Sequence, residues 1–238
     1  MKDSDIALVF VGLNSQLEGE NTDRKTIELP EPQEKLVETA IATGKPVIVV
    51  LTSGSAVAAS YAAEHAAAVI EGWYGGEEAG TAIAETLAGV NNPSGRLPVT
   101  FYKSTDQLPE FTDYAMKGHT YRYFKGEPLY SFGYGLSYSA FQYSGLSARR
   151  TAKGAEVRAT VKNTSARDSD EVVQLYVSDA AGEEVRNLRG FQRIHLRAGE
   201  SRRVTFTLNA DALPKSKLDI SVGGGQPLAS IPHVKGTL

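Results

Sequence analysis

The sequence predicts an α/β layer with a mainly parallel sheet, followed by an all-β sandwich. Over the first hundred residues, short apolar runs alternate with segments of helical period, which is typical of parallel strands joined by helices. From about Ser139 the hydrophobic period changes to two, which is typical of strands with one buried face. A stretch rich in glycine, proline and aromatic residues separates the two patterns.

The α/β layer is predicted from continuous apolar runs, because a strand covered by helices on both faces contains few polar residues. We expect strands at Ile6–Val11, Val47–Leu51, Ala68–Trp73 and Arg96–Phe101. We expect helices at Pro32–Ala42, at Ser55–Ala67 with Ser55 as the N-cap, and from Gly75-Gly76 to Leu87. Ligands of such sheets collect at the carboxyl ends of the strands, which here are the segments 12–26, 52–55 and 74–78.

The sandwich is predicted from three alternating runs that are separated by turn residues. Their apolar positions are Val157, Ala159 and Val161, then Val173, Leu175 and Val177, then Val204, Phe206 and Leu208. We therefore predict an α/β domain at 1–101, an ordered aromatic-rich connection at 102–138 and a sandwich domain at 139–238. A connection of that length is uncommon unless it has a function.

Composition excludes several classes of function. The 238 residues carry a net charge of -3 and no cysteine, so thiolate metal sites and a cysteine nucleophile are excluded. The histidines His65, His119, His195 and His233 lack metal-ligand spacing, so we expect no metal and no other cofactor. No basic run and no membrane-length apolar run is present, so we expect neither nucleic acid nor a membrane as a partner.

The main candidate for chemistry is the acidic loop, residues 18–24, which follows the first strand. Glu18, Glu20, Asp23 and Arg24 place three carboxylates and one cation within seven residues. A carboxylic acid can act as a general acid when burial or a nearby carboxylate raises its pKa. A loop that closes over a second domain meets this condition. A solvated acidic loop, in which a carboxylate forms a local ion pair with Arg24, does not. The residues alone leave both interpretations open.

Two further segments carry weaker signals. Gly75-Gly76-Glu77-Glu78 precedes a predicted helix, where acidic residues commonly stabilise the first turn rather than mark an anion site. Ser53-Gly54-Ser55 lacks a histidine partner, so we interpret Ser55 as a helix cap rather than as a nucleophile.

Several motifs in this order resemble glycoside hydrolase family 3, the β-glucosidase and β-xylosidase family. The likeness covers nearly the whole chain. It rests on Glu18-Gly19-Glu20 with Asp23-Arg24, Trp73-Tyr74-Gly75-Gly76-Glu77, Asn92-Pro93-Ser94-Gly95-Arg96-Leu97-Pro98, Thr120-Tyr121-Arg122-Tyr123-Phe124, Phe132-Gly133-Tyr134-Gly135-Leu136, Val161-Lys162-Asn163-Thr164 and Leu188-Arg189-Gly190-Phe191. The resemblance implies that the sandwich is an immunoglobulin-like, fibronectin type III-like domain.

The resemblance also implies a retaining mechanism, with an aspartate nucleophile on a barrel domain and an acid/base glutamate on a loop of the α/β domain. Such enzymes hold their two carboxyl groups only about 5–5.5 Å apart. By resemblance, Glu18 is the first choice for the acid/base and Glu20 the second, while Asp23 and Arg24 position the loop. The expected substrates are β-glucosides, β-xylosides or their oligosaccharides, from which glucose or xylose is released at non-reducing ends.

This sequence departs from the family pattern because it contains no barrel, and we expect that the usual first strand of the α/β domain is also missing from it. We therefore expect a C-terminal part of such an enzyme, inactive alone and dependent on a barrel-domain polypeptide that carries the nucleophile. The parent enzyme is expected to be periplasmic or secreted. The alternative is a non-catalytic carbohydrate-binding or structural module.

Overall fold

The computed structural model describes residues 4–179, 186–210, 213–214 and 216–238, in two compact units. The α/β unit comprises Met1–Ala88, Thr100–Tyr114 and Gly126–Tyr130. The sandwich unit comprises Gly89–Val99, Ala115–Lys125 and Ser131–Leu238. Parts of the predicted connection at 102–138 thus belong to each unit, and the domain boundaries themselves stay a prediction.

A parallel sheet forms the centre of the α/β unit, as the apolar runs predict. Its strands are β1 (Ala7–Gly12), β2 (Val47–Thr52) and β3 (Ala68–Glu71), in the order β1-β2-β3. The central strand β2 is largely buried, but β1 buries only one face, because Leu8 and Phe10 are about half exposed. The prediction of burial on both faces is therefore right for β2 and wrong for β1.

Three helices connect and flank these strands: α1 (Glu31–Ile41), α2 (Ser60–His65) and α3 (Ala79–Leu87). Helix α1 begins after Pro30, carries acidic residues in its first turn and buries Val37 and Ala40 against the sheet core. Acidic residues at that end stabilise a helix, because they interact favourably with the partial positive charge of its N-terminus.

Two local predictions are wrong. Helix α2 begins at Ser60 rather than at Ser55, because Ser55 and Ala56 accept hydrogen bonds from Arg24 and the Ala58 N–H donates to the Ile27 carbonyl instead of to a helical partner. Residues 96–101 form no strand; Phe101 makes an isolated bridge to Tyr130, and Pro98 has no N–H to continue a ladder.

The sandwich unit contains two antiparallel sheets, as the period-two pattern predicts. One sheet has the order β10-β9-β6-β7 and the other β4-β5-β8. The strands are β4 (Phe141–Thr151), β5 (Gly154–Asn163), β6 (Ser169–Asp179), β7 (Asn187–Leu196), β8 (Ser201–Asn209), β9 (Leu218–Gly223) and β10 (His233–Thr237). All nine apolar positions used for the prediction are buried in its core.

Within the sandwich unit a buried ion pair joins the Asn92–Pro98 motif to strand β6. The Arg96 guanidinium donates a 2.9 Å hydrogen bond to Glu171 Oε2 and another to the carbonyl of Gly224. Tyr143 donates to the second oxygen of Glu171 at 2.9 Å. The side chains of Arg96 and Glu171 are 9% and 1% exposed, so this pair is shielded from water.

The connection contains a 3-10 turn at Thr105–Gln107 and the short helix α4 (Thr120–Tyr123). In the sandwich unit, Tyr121 stacks on Phe132 with ring centroids 4.1 Å apart, and its hydroxyl accepts a hydrogen bond from the Leu188 N–H.

Across the described residues, no helix combines the length and apolar character that a membrane crossing requires.

Candidate active site

The acidic loop is rooted at the carboxyl end of β1. Gln33 of α1 binds both backbone groups of Gly12, accepting from its N–H at 2.6 Å and donating to its carbonyl at 2.9 Å. Gly12 has φ 149°, and a Cβ placed there would lie 2.0 Å from the Thr52 carbonyl oxygen. Only glycine allows so close an approach of the two strand ends.

Glu18 is anchored to the ends of the two neighbouring strands. Its carboxylate accepts hydrogen bonds from the Gly54 N–H at 2.5 Å, the Tyr74 hydroxyl at 2.5 Å and the Ser55 hydroxyl. Gly54 and Ser55 follow β2 and Tyr74 follows β3, so the parallel sheet brings these donors to one edge, as the sequence predicts.

These contacts favour the ionised form of the Glu18 carboxyl group. Burial by itself raises the pKa of Glu18, but the hydrogen bonds from Ser55, Tyr74 and Gly54, together with the Arg24 charge, outweigh it and leave the pKa below its usual value. Donors that bind a carboxylate stabilise its ionised form. In this arrangement Glu18 is a negatively charged anchor, which is unfavourable for a group that must donate a proton at neutral pH.

Arg24 fixes the far end of the acidic loop. Its guanidinium donates 2.9 Å hydrogen bonds to the Ser55 hydroxyl and to the carbonyl of Ala56. Ser55 therefore contacts both Glu18 and Arg24, which is why it is not a helix cap. Asp23, the other residue expected to position the loop, is exposed.

Glu20 lies at the tip of the loop. An antiparallel bridge joins Gly19 to Thr22, and the Thr22 N–H donates to the Gly19 carbonyl at 3.0 Å, so Glu20 and Asn21 form the turn between them. Asn21 has φ 62°, a conformation that asparagine tolerates in turns. Glu20 is exposed at this tip, whereas Glu18 is partly buried at the base of the loop.

A further carboxyl group, Glu71, lies behind the anchor and was not among the sequence candidates. It ends strand β3 and accepts a 2.9 Å hydrogen bond from the Trp73 N–H. Burial and, to a smaller extent, the Glu18 charge raise its pKa to about 7, against the opposing effect of the hydrogen bonds from Trp73 and Ser53. The strand pattern could not reveal the raised pKa of Glu71, because this pKa depends on Ser53 and Glu18, which belong to two other segments.

The described residues contain no group of three or more histidine, aspartate or glutamate side chains that could hold a metal ion. A cleft of about 600 Å³ lies beside the loop, between Leu17, Arg24 and Glu34. Arg24 lines this cleft, whereas Glu18 and Glu20 do not.

Comparison with known families agrees with this architecture. Residues 1–138 match the glycosyl hydrolase family 3 C-terminal domain, and residues 171–214 match the fibronectin type III-like domain. The first match covers more than half of the sequence, and the chain belongs to glycoside hydrolase family 3.

Its curated relatives are glycoside hydrolases. A xylan 1,4-β-xylosidase of Xylanibacter ruminicola is 39% identical over 216 residues, covering 85% of this chain and 25% of the relative. A periplasmic β-glucosidase of Salmonella typhimurium is 36% identical over 231 residues, covering 89% of this chain and 30% of the relative. The chain thus spans about a quarter to a third of the length of the curated relatives it matches.

Solved structures give the same result for the fold. A β-D-glucoside glucohydrolase from Trichoderma reesei has a TM-score of 0.87 at 26% identity, covering 99% of this chain and 40% of that one. A family 3 β-glucosidase from Bifidobacterium adolescentis has a TM-score of 0.85 at 31% identity, covering 98% of this chain and 39% of that one. The predicted fold class and family are therefore confirmed.

Proposed function

We propose that this chain is the acid/base-supplying C-terminal part of a retaining exo-acting β-glycosidase that releases glucose or xylose from non-reducing ends. The observation that supports this most directly is the acidic loop, which is rooted at Gly12, anchored through Glu18 and held at its far end by Arg24. An anchored loop can present one carboxyl group at a reproducible position, as general acid catalysis requires.

Within this proposal, the geometry favours Glu20 over Glu18 as the acid/base, which reverses the order of preference drawn from the resemblance. Glu18 is occupied by three hydrogen-bond donors that stabilise its charged form. Glu20 is exposed at the tip, where a second domain can cover it, and burial is a condition under which a carboxyl group can serve as a general acid. Glu18, Arg24 and Asp23 then serve to position the loop.

The chemistry divides between two domains. In the first step, the glutamic acid protonates the glycosidic oxygen while the nucleophile attacks the anomeric carbon, so the aglycone leaves with the proton. In the second step, the glutamate removes a proton from water, which hydrolyses the covalent glycosyl intermediate. The nucleophile belongs to a barrel-domain polypeptide, and this chain alone is expected to hydrolyse nothing. We further propose a periplasmic or secreted parent enzyme, since one relative is named a periplasmic β-glucosidase.

The test is reconstitution of this chain with a barrel-bearing polypeptide of the family, followed by kinetics on β-glucosides and β-xylosides. Glu20→Gln should lower kcat by about 10²–10⁴-fold on substrates with poor leaving groups. On nitrophenyl glycosides, whose leaving group needs no proton, kcat/KM should fall much less, while kcat stays low because the second step lacks its base. Azide should restore turnover by replacing the water that Glu20 activates.

Glu18→Gln serves as the comparison within the same loop. It should lower activity on both kinds of substrate by misplacing the loop, and azide should not restore it. If Glu18→Gln instead shows the leaving-group dependence and the azide rescue, Glu18 is the acid/base. If neither variant changes the rate, the acid/base proposal is wrong, and xylan binding without such a rate effect would support a binding module.

A further inference from the structure

Glu71 occupies a position from which it supports both halves of the Glu18 anchor. Its Oε1 accepts the Trp73 N–H at 2.9 Å, and Trp73 directly precedes Tyr74, which donates to Glu18. The same oxygen lies 3.5 Å from the Ser53 hydroxyl. Ser53 is fully buried and donates at 2.8 Å to the carbonyl of Ser55, whose hydroxyl also donates to Glu18.

The segment that Glu71 holds has an uncommon backbone conformation. Trp73 has φ 52°, in the left-handed region that bulky residues rarely adopt. Such a conformation persists only where the surroundings fix it. The hydrogen bond to Glu71 and the edge-on contact of the Trp73 ring with Phe101, at 6.0 Å between centroids, are two contacts that hold it.

The second carboxyl oxygen of Glu71 adds a constraint of its own. Oε2 is buried and has no hydrogen-bond partner among the described residues. A carboxylate oxygen in that situation is costly, so the neutral form is favoured. The charge that acts on Glu71 is that of the Glu18 carboxylate, which disfavours ionisation of Glu71. Glu18 in turn accepts a hydrogen bond from Tyr74 and is stabilised by the positive charge of Arg24.

We propose that Glu71 is a positioning residue: its neutral carboxyl group holds both the Ser53–Ser55 turn and the Trp73–Tyr74 segment, and its ionisation releases Glu18 and loosens the acidic loop. Ionisation places two carboxylates on either side of one turn, where their repulsion opposes the anchored arrangement. The inference rests on the proposed function of the loop, but its physical part can be measured without catalysis.

The fluorescence of Trp73 can report the ionisation of Glu71, because Trp73 is the only tryptophan and its backbone N–H donates to Glu71. Tryptophan fluorescence of this chain should change with a midpoint near pH 7, where Glu71 titrates. Glu71→Gln should abolish the transition, and Glu18→Gln should move its midpoint to lower pH by removing the like charge. Glu85→Gln, an exposed change on α3, should leave it unchanged.

Carbon-13 titration of the glutamate carboxyl groups checks the same point in the unmodified chain. One carboxyl should titrate near pH 7 and its signal should be absent from Glu71→Gln. A fluorescence transition that survives in Glu71→Gln, or the absence of any carboxyl that titrates near neutral pH, would overturn the inference.

Trypsin measures the loop itself, since it cleaves after Arg24 and Lys25. At pH 8 the unmodified chain should be cut there several-fold faster than Glu71→Gln, and at pH 6 the two rates should match. Equal rates at pH 8 would show that ionisation of Glu71 does not loosen the loop.

Activity separates this inference from the proposed function. In the reconstituted enzyme, Glu71→Gln should shift the alkaline limb of kcat/KM to higher pH while changing the acidic limb little. If Glu20→Gln and Glu18→Gln leave the rate unchanged while the fluorescence and trypsin results hold, the proposed function fails but Glu71 still positions the loop. An unaltered alkaline limb in an otherwise active complex would contradict the catalytic part of the inference.

Discussion

At the scale of single residues, the site depends on a close fit around Gly54. A Cβ added at Gly54 would lie 3.0 Å from the Tyr74 ring and 3.1 Å from Glu18 Oε1. Both distances are shorter than ordinary van der Waals contact, so the two partners of the anchor would have to move apart. The absence of a side chain at Gly54 therefore leaves the space in which the Tyr74 hydroxyl and the Glu18 carboxylate meet.

We expect Gly54→Ala to weaken the Glu18 anchor without unfolding the α/β unit. The pKa of Glu18 should rise toward its usual value, because the Gly54 N–H and the Tyr74 hydroxyl can no longer both reach its carboxylate. Carbon-13 titration of the Glu18 carboxyl measures this directly. Gly80→Ala is the matched control, since nothing lies within 4 Å of a Cβ there, and alanine should stabilise α3 by about 0.5–1 kcal/mol. An unchanged Glu18 titration in Gly54→Ala would contradict the proposed close fit.

At the scale of elements, most strands were predictable, apart from the one expected at Arg96–Phe101, and the site contacts were only partly so. Apolar runs and period-two alternation are local signals, and they identify β1, β2 and the core of the sandwich. The Ala-rich run after Ser55 also has local helical character, but Ser55 and Ala56 bind Arg24 and Ala58 binds Ile27, and a sequence pattern cannot show such non-local contacts. The role of Glu71 was missed for the same reason.

The buried pair of Arg96 and Glu171 gives a prediction at this scale, because it joins a loop motif to strand β6. Arg96→Ala leaves a buried carboxylate without its cation and should cost about 3–5 kcal/mol of unfolding free energy at neutral pH. Burial, opposed by Arg96 and Tyr143, already raises the pKa of Glu171. The deficit should therefore shrink at low pH, where Glu171 takes up a proton and needs no cation.

Urea unfolding followed by far-ultraviolet circular dichroism at two pH values measures this deficit. Arg149→Ala, which breaks an exposed pair with Glu156, is the control and should change the unfolding midpoint little. A deficit for Arg96→Ala that is the same at both pH values would show that the Glu171 charge is not its cause.

At the scale of the whole molecule, ionisable groups of the α/β unit act on stability in opposite directions. Glu18 and Glu28 have pKa values below the usual 4.5, so their contribution is present above that pH and is lost as the pH falls. Glu71 has a pKa raised to about 7, so the folded state holds a proton that the unfolded state has lost. Its contribution is therefore present below about pH 4.5 and is lost as the pH rises toward 7.

We expect Glu71→Gln to remove the loss of stability that the α/β unit suffers as the pH rises toward 7. The variant should be more stable than the unmodified chain at pH 8, and the difference should shrink steadily toward pH 5. Denaturant unfolding followed by tryptophan fluorescence reports on the correct unit, because Trp73 belongs to the α/β unit. Glu85→Gln should show no such pH-dependent gain, and a Glu71→Gln variant that gains nothing at pH 8 would contradict the raised pKa.

The anchor of Glu18 also has a consequence for the order of folding. Its three donors lie 36, 37 and 56 residues further along the chain, at the ends of two later strands. Contacts of such long sequence separation form only after the intervening segments have been brought together, since closing those loops costs chain entropy first. We therefore expect the acidic loop to acquire its shape only after β2 and β3 have paired, so that a chain with an incompletely assembled sheet cannot present it.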